Sequence, residues 1–343
     1  MEDDKKILII RLSSIGDIVL ASPLIRLVRK KFPQAKIDML VCSEFEELIS
    51  ANPNLSQVIL FDRKTGLKGL LRLCKKIRKE RYDLVIDIHK KLRSSIICWT
   101  SGAKQTVVYN KHSFLRFLLV NFKINRFVTT TYVANLYLKS VERFGIEDDG
   151  QGLELDITQA KDMGVLELLR QEGVSKECSL IGLAPGAHWN TKRWFKESFI
   201  ELANLLLQRK GVKIVILGGK DEMELGKEIE SGLLDKPINA VGKLSLMETA
   251  ALLKRCNVLI TNDTGVMHIA AAVKTPVVAI FGPTVGEFGY YPYRVANRVI
   301  SKDLPCKPCT TKGTSKCKIN TFDCMRIIST DEVLEAVIGL VKE

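Results

Sequence analysis

The chain has no run of about 18 apolar residues, the least that crosses a bilayer as a helix. Its first ten residues, MEDDKKILII, open on acid and pass straight into a strand-like stretch, so the expectation is no signal peptide and a cytoplasmic protein. Neither GxGxxG nor a P-loop pattern occurs, so nucleotide-binding enzymes of those two types lose support. Acid is scarce in one region. Between Arg63 and Arg126 there are 17 basic residues, opposed only by Glu80, Asp83 and Asp87. Residues 1–150 hold 27 Lys/Arg against 16 Asp/Glu, or +11 of the +13 formal charge. A basic half joined to a near-neutral half implies an anionic partner for the first half. Nucleic acid, an anionic membrane surface and a phosphorylated glycolipid all qualify, beside a merely solvated basic face.

What is present is alternation. The 343 residues, 46% apolar, suit two domains of ordinary size. Strands are expected over 6–10, 36–41, 57–61 and 84–88, separated by helices over 18–32, 44–49 and 67–81, with a further helix over 132–144. The polar run 147–152 (EDDGQG) is the best linker by composition, followed by a short strand and a helix over 160–172. Strands then recur at 179–184, 213–217, 258–261 and 276–281, each followed or preceded by a helical stretch. The domains drawn from this are 1–150, a linker at 151–178, a second domain at 179–328 and a C-terminal helix at 329–343. The fold class is α/β, two doubly wound Rossmann-like domains facing a central cleft.

The chemistry concentrates at strand ends. In VLITNDTGVMHIAAAVKTPVVAIFGPT, residues 258–284, Asp263, Thr264 and Gly265 lie where a strand hands over to a helix N-terminus, the edge at which open α/β sheets bind ligands. The ends at 185–192, 218–222 and 282–284 converge on the same edge of a parallel sheet. Backbone amides there, with Lys192 and Arg193, suit a diphosphate, and Asp221 or Glu222 suits a ribose diol. In the first domain, Ser14, Gly16 and Asp17 follow the first strand, and Gly16 permits close backbone approach. Asp17 is either a helix cap or a general base facing a nucleotide-sugar site. His89, Lys90, Lys91 and Arg93, after the strand that ends in Asp87, are the candidate acceptor-binding cations.

The loop RLSSIGD and the segments PGAHWNTKRW, LGGKDE and NDTGVMHIAAA…FGPT together resemble glycosyltransferase family 9, the ADP-heptose:lipopolysaccharide heptosyltransferases. The likeness runs in order over nearly the whole chain. It implies a GT-B fold, inverting transfer from an ADP-sugar donor and no catalytic metal or other cofactor. By position, Asp17 is similar to the family's general base and Lys192 to its lysine at the donor phosphates. Asp263, Thr264, Gly265 and His268 match the donor-sugar and phosphate loop, and Leu244 the adenine pocket. Ser14, Gly16, Gly218, Asp221 and Glu222 join the expected donor-binding set. Where some members carry hydroxyl residues this chain has Ala187 and His188, so backbone amides are expected to replace those contacts. The implied partners are an ADP-sugar donor, an anionic glycolipid acceptor of Kdo–lipid A type and the inner face of the cytoplasmic membrane, with no nucleic acid. Transfer to a protein or another glycan, and a basic binding protein without turnover, stand as the alternative readings.

Two features fall outside that scheme. Cys306, Cys309, Cys317 and Cys324 are spaced C-x₂-C-x₇-C-x₆-C in a Lys- and Gly-rich loop, 304–325. Such spacing suits a structural tetrahedral Zn²⁺ or iron better than disulfides or free thiols in a cytosolic chain. Phe114, Leu115, Phe117, Leu118 and Leu119 form either a membrane-facing patch or part of a core, and burial is the expectation.

Overall fold

The computed structural model describes residues 5–175 and 177–341; the acidic start, Met1–Asp4, lies outside them. The chain divides into two compact α/β units. Unit 1 comprises residues up to Ser113 together with Thr131–Asp156, and unit 2 comprises Phe114–Thr130 with the chain from Ile157 onward.

Unit 1 is built on five strands: β1 (Lys6–Ile10), β2 (Lys36–Cys42), β3 (Gln57–Phe61), β4 (Leu84–Asp87) and β5 (Gln105–Val108). All pair in parallel in the order β3-β2-β1-β4-β5. The residues explain this. β1 (KILII) and β4 (LVID) are buried over nearly their whole length, as strands covered on both faces must be. Leu8, Ile10, Leu40, Ile59 and Val85 form one apolar face, packed against Leu70, Leu73 and Ile77 of the helix Gly66–Glu80. The helix expected over 18–32 is two, Ile15–Val19 and Ser22–Lys31. Pro23 has no N–H to continue the ladder, and the Ser22 hydroxyl donates to the Val19 carbonyl at 2.8 Å in its place.

Unit 2 carries six strands: β6 (Ser179–Ala184), β7 (Val212–Ile216), β8 (Ile238–Asn239), β9 (Val258–Asn262), β10 (Val277–Phe281) and β11 (Asn297–Ser301). Their order, β11-β10-β9-β6-β7-β8, is again wholly parallel. Ile181, Leu183, Ile260 and Ile280 pack against the helices Lys196–Leu207 and Thr330–Val341. Each unit is therefore doubly wound, the class expected from the alternation.

The boundaries differ from a single cut at 150. Residues 147–154 are not a loose linker, because the Arg26 guanidinium takes the Asp149 carboxylate through two 2.9 Å bonds and also reaches Glu154 and the Gly152 carbonyl. The short strand expected before 160 does not form. The helix Gln159–Gln171 belongs to unit 2, tied down by Asp162 to Arg255 and by Lys161 to Glu248. Phe114–Thr130, placed in the first domain by sequence order, also packs with unit 2. Here burial was the wrong expectation in part. Phe114 and Phe117 are exposed, Leu115 and Leu118 half-buried, and Leu119 buried.

Arg26→Met should expose this dependence. Removing one partner of a largely buried ion pair is expected to cost about 3 kcal/mol in urea unfolding at neutral pH. The Arg26 hydrogen bonds hold the Asp149 carboxyl below the usual carboxylate range, against the effect of burial. A depressed carboxylate stabilises above its unfolded pKa and loses that contribution as pH falls through the folded value. The gap between wild type and variant should therefore close in acid, and an equal gap at all pH values would assign it to packing instead.

Candidate active site

In each parallel sheet the strand order reverses once, and the loops leaving the two strands at that reversal face a common crevice edge. In unit 1 these strands are β1 and β4, where Ile10 pairs with Asp87. The loop after β1 contains Arg11, which sequence reading did not single out. Its side chain is buried, with Nε donating to the Ser13 carbonyl at 2.7 Å, Nη1 to the Ile88 carbonyl and Nη2 paired with the Asp17 carboxylate. Asp17 sits in the short helix Ile15–Val19, where Oδ2 also accepts from the Ser14 hydroxyl at 3.1 Å and Oδ1 lies 3.4 Å from the Tyr137 hydroxyl. Burial works to raise the Asp17 pKa, but Arg11, the Ser14 amide and Lys111 together hold it below the ordinary value. Asp17 is thus both a capping residue and an ionised carboxylate poised in a cationic setting. Gly16 is buried beneath it and Ser14 is exposed.

The loop after β4 is organised by Asp87, whose Oδ1 accepts from the amides of His89 at 2.8 Å and Lys90 at 2.9 Å. His89 is pushed down to about 4, first by burial and then by the Arg11 charge, with Asp17 opposing; it is neutral at physiological pH. Lys90, Lys91 and Arg93 are exposed on the same loop and the start of the helix Leu92–Ser101. One edge thus carries a carboxylate, a neutral imidazole and a row of solvated cations.

In unit 2 the reversal lies between β6 and β9, where Ala184 pairs with Thr261. Asn262 ends β9 fully buried, and its amide fastens the loop that follows β6. Oδ1 accepts from the Trp194 amide at 3.0 Å, and Nδ2 donates to the Pro185 carbonyl at 2.8 Å. Lys192, brought back by this fastening, pairs with Asp263 Oδ2 at 2.5 Å, and Thr284 at the end of β10 donates to the same oxygen at 2.9 Å. Arg193 turns to the Ala187 carbonyl, 2.8 Å away. Of the two acids after β7, Asp221 is exposed, whereas Glu222 accepts from the Gly219 amide at 2.9 Å and turns back over the glycines. A Cβ placed on Gly186 would meet Glu222 Oε1 at 1.8 Å, and one on Gly218 would meet Oε2 at 2.7 Å. A side chain at either position would have to displace that carboxylate.

Thr264 caps the helix Gly265–Ala272, in which His268 is buried with Tyr290 at 6.3 Å between ring centroids. Ala187 is buried, His188 is exposed against the Trp189 ring, and Leu244 is half-buried just before the Ser245 cap. The arrangement offers a lysine, amide groups at a helix start and two carboxylates around the ends of β6, β7, β9 and β10. That set suits a phosphorylated nucleotide carrying a diol.

The cysteine loop departs from expectation. All nine cysteines are free thiols, and among the described residues no three His, Cys, Asp or Glu side chains stand close enough together to hold a metal ion. The expected tetrahedral Zn²⁺ or iron centre is therefore not supported. Instead Cys306, Cys309, Cys317 and Cys324 line one cavity of about 270 Å³ with Lys307 and Lys318. Burial pushes Cys324 up to about 11, with the neighbouring thiols adding to the effect. The loop is joined to the core of unit 2. Cys324 enters the unit 2 core, Gly313 lies against Trp189, and Thr191 and Thr314 exchange hydrogen bonds of 2.9 Å. The loop is part of what holds residues 189–192 in place.

The sequence model of glycosyltransferase family 9 (heptosyltransferase) matches residues 70–320. The lipopolysaccharide heptosyltransferase 2 of Escherichia coli is 27% identical over 297 residues, covering 82% of this chain and 84% of that protein. Among solved structures, the family 9 glycosyl transferase of Veillonella parvula superposes with a TM-score of 0.83 at 27% identity, covering 100% of this chain and 99% of that one. The E. coli ADP-heptose lps heptosyltransferase II follows with a TM-score of 0.73 at 25% identity, covering 98% of each chain. Family model, relatives and fold agree with one another, and the chain belongs to glycosyltransferase family 9, the heptosyltransferases.

Proposed function

We propose that the chain moves a heptose from an ADP-heptose donor to a phosphorylated lipopolysaccharide inner-core acceptor of Kdo–lipid A type, with inversion and without a catalytic metal. The carrying observation is the Lys192–Asp263–Thr284 cluster, held at the carboxyl ends of β9 and β10 by Asn262. The relative whose solved structure is named for ADP-heptose supports the donor.

In this reading the donor diphosphate takes hydrogen bonds from Lys192 and from the amides of Thr264 and Gly265, where the helix N-terminus adds positive potential. Glu222 holds the ribose diol beside Gly186 and Gly218, and Leu244 flanks the adenine. Asp263 and His268 face the sugar. Asp17 accepts the proton of the attacking acceptor hydroxyl as the new glycosidic bond forms on the face opposite the departing ADP. Charge then grows on the diphosphate oxygens, where Lys192 and the helix N-terminus neutralise it in place of a cation. Lys90, Lys91 and Arg93 receive the acceptor phosphates. The protein works at the inner face of the cytoplasmic membrane, where such an acceptor is presented.

Asp17→Asn should leave ADP binding within a few-fold and lower kcat by about two orders of magnitude or more. A near-normal kcat would remove Asp17 from the base role. Because Arg11 and its neighbours hold Asp17 ionised, the acid limb of kcat/KM should fall below the ordinary carboxylate range. Arg11→Gln removes the leading charge that opposes burial, so its acid limb should move to higher pH. An unmoved limb would assign the titration to another group.

Lys192→Ala should weaken ADP binding by about 1.5–3 kcal/mol, the worth of one charge-assisted hydrogen bond. Calorimetry with adenosine as the second ligand checks the assignment. Adenosine affinity should be spared, and an equal loss for both would place Lys192 away from the phosphates.

A further inference from the structure

The helix Ser113–Phe122 is amphipathic in the inverted sense. Its arginine faces in, where Arg116 Nη2 donates to the Phe288 carbonyl at 2.9 Å and the guanidinium lies 5.5 Å and 5.7 Å from the ring centroids of Phe288 and Tyr290. Its phenylalanines face out. Phe114 is 69% exposed, Phe117 52% and Phe122 60%, and the last two meet edge to face with centroids 5.8 Å apart. The apolar surface continues past the helix through Ile124 and across to Ile319 of the cysteine loop, which shares a cavity with Val120, Asn121 and Lys123. The helix is not loosely held. Lys123 Nζ donates to the carbonyls of Cys306 at 2.8 Å and Pro308 at 2.6 Å, and Leu119 is buried. A side turned outward with this much aromatic surface, on a helix this firmly anchored, is built for an apolar partner.

The charge around it identifies the partner. No Asp or Glu occurs from Ile88 to Val141 or from Leu304 to Phe322, so both segments that form the patch are free of acid. Arg126, Lys316 and Lys318 are exposed on these segments. The carboxylates that adjoin these segments are Asp323, on the shared cavity, and Glu287 and Asp303, on a second cavity with Leu119; Asn125 Nδ2 engages Glu287 at 2.8 Å. Exposed rings inside a cationic border suit insertion among lipid tails below anionic headgroups, and among the described residues no helix is long and apolar enough to cross a membrane.

We propose that the Phe114–Phe117–Phe122 face, extended by Ile124 and Ile319, is the surface by which this protein docks on an anionic lipid bilayer. The proposal rests on the membrane-peripheral reading above and names its contact surface. Its test uses neither donor nor acceptor, so its failure is separate from failure of the transferase reading.

The full chain is floated with vesicles of phosphatidylcholine alone and with roughly 30% phosphatidylglycerol added. Binding should appear on the anionic vesicles and weaken as salt is raised. Phe114→Ser combined with Phe117→Ser should lower it about tenfold, with the protein still folded at the assay temperature because both rings are more than half exposed. Arg126→Glu combined with Lys318→Glu tests the border by a route that leaves the rings in place, and should lower binding about tenfold as well. Equal binding to neutral and anionic vesicles, or wild-type binding by both double variants, would overturn the assignment. So would the absence of vesicle binding together with self-association, read by sedimentation, that the phenylalanine variant abolishes; the face would then be a contact between copies of this chain.

Discussion

Parallel hydrogen bonding is the constraint on which the rest depends. A strand such as β9 can pair in parallel with β6 and β10 only if every connection crosses over the sheet, so all strands leave by the same edge. The register Ala184 with Thr261 brings the end of β6 beside that of β9. The loop after β6 cannot avoid the turn after β9, and Asn262 completes the junction by satisfying groups from both sides of Trp194 and Pro185. A buried amide with all its bonds made is costly to disturb, because each orphaned partner keeps its desolvation penalty. The position of Lys192 follows from that junction more than from its own ion pair.

The same constraint operates in unit 1 with a different ending. There the pairing of Ile10 with Asp87 delivers two loops, but the groups that hold them are charged. Arg11 is bound by two backbone carbonyls and by Asp17, so the carboxylate lies beside a cation that cannot swing away. This lowers the Asp17 pKa while His89, buried near the same guanidinium, stays neutral. Burial, aided by the Arg11 charge, keeps His89 neutral, and Arg11 leads the interactions that keep Asp17 ionised against burial. The exposed lysines farther along the loop are free to follow a ligand, as solvated side chains are.

Unit 2 also takes in pieces from elsewhere in the chain. The helix Ser113–Phe122 and the cysteine loop meet through Lys123, and the cysteine loop meets the Lys192 loop through Thr191 and Thr314. Of the four thiols Cys324 is buried and the others are half-buried; burial raises the pKa of Cys324 and Cys309, whereas backbone hydrogen bonds hold Cys317 below its ordinary value against burial. They contribute packing to a structure that also supports the donor side of the site.

Sequence by itself determined the doubly wound class, because unbroken apolar strands alternating with helices have few other ways to bury both faces. It also placed Asp263 directly after β9, and Asp17, Lys192 and Glu222 in the segments that follow β1, β6 and β7. Tertiary structure alone decided what lies beyond one loop. Arg11 and Asn262 open the segments RLSSIGD and NDTGVMHIAAA, but a single polar residue at a strand end looks alike in sequence whether solvated or fully bonded. The spacing of the four cysteines suggested a metal, but distances between loop residues are set by what the loop packs against, here Trp189 and the core beneath Cys324. The direction of the helix Ser113–Phe122 was equally hidden. Its composition permits burial of either face, and only the carbonyl of Phe288, available to Arg116 at 2.9 Å, turned the arginine inward and the phenylalanines to the surface.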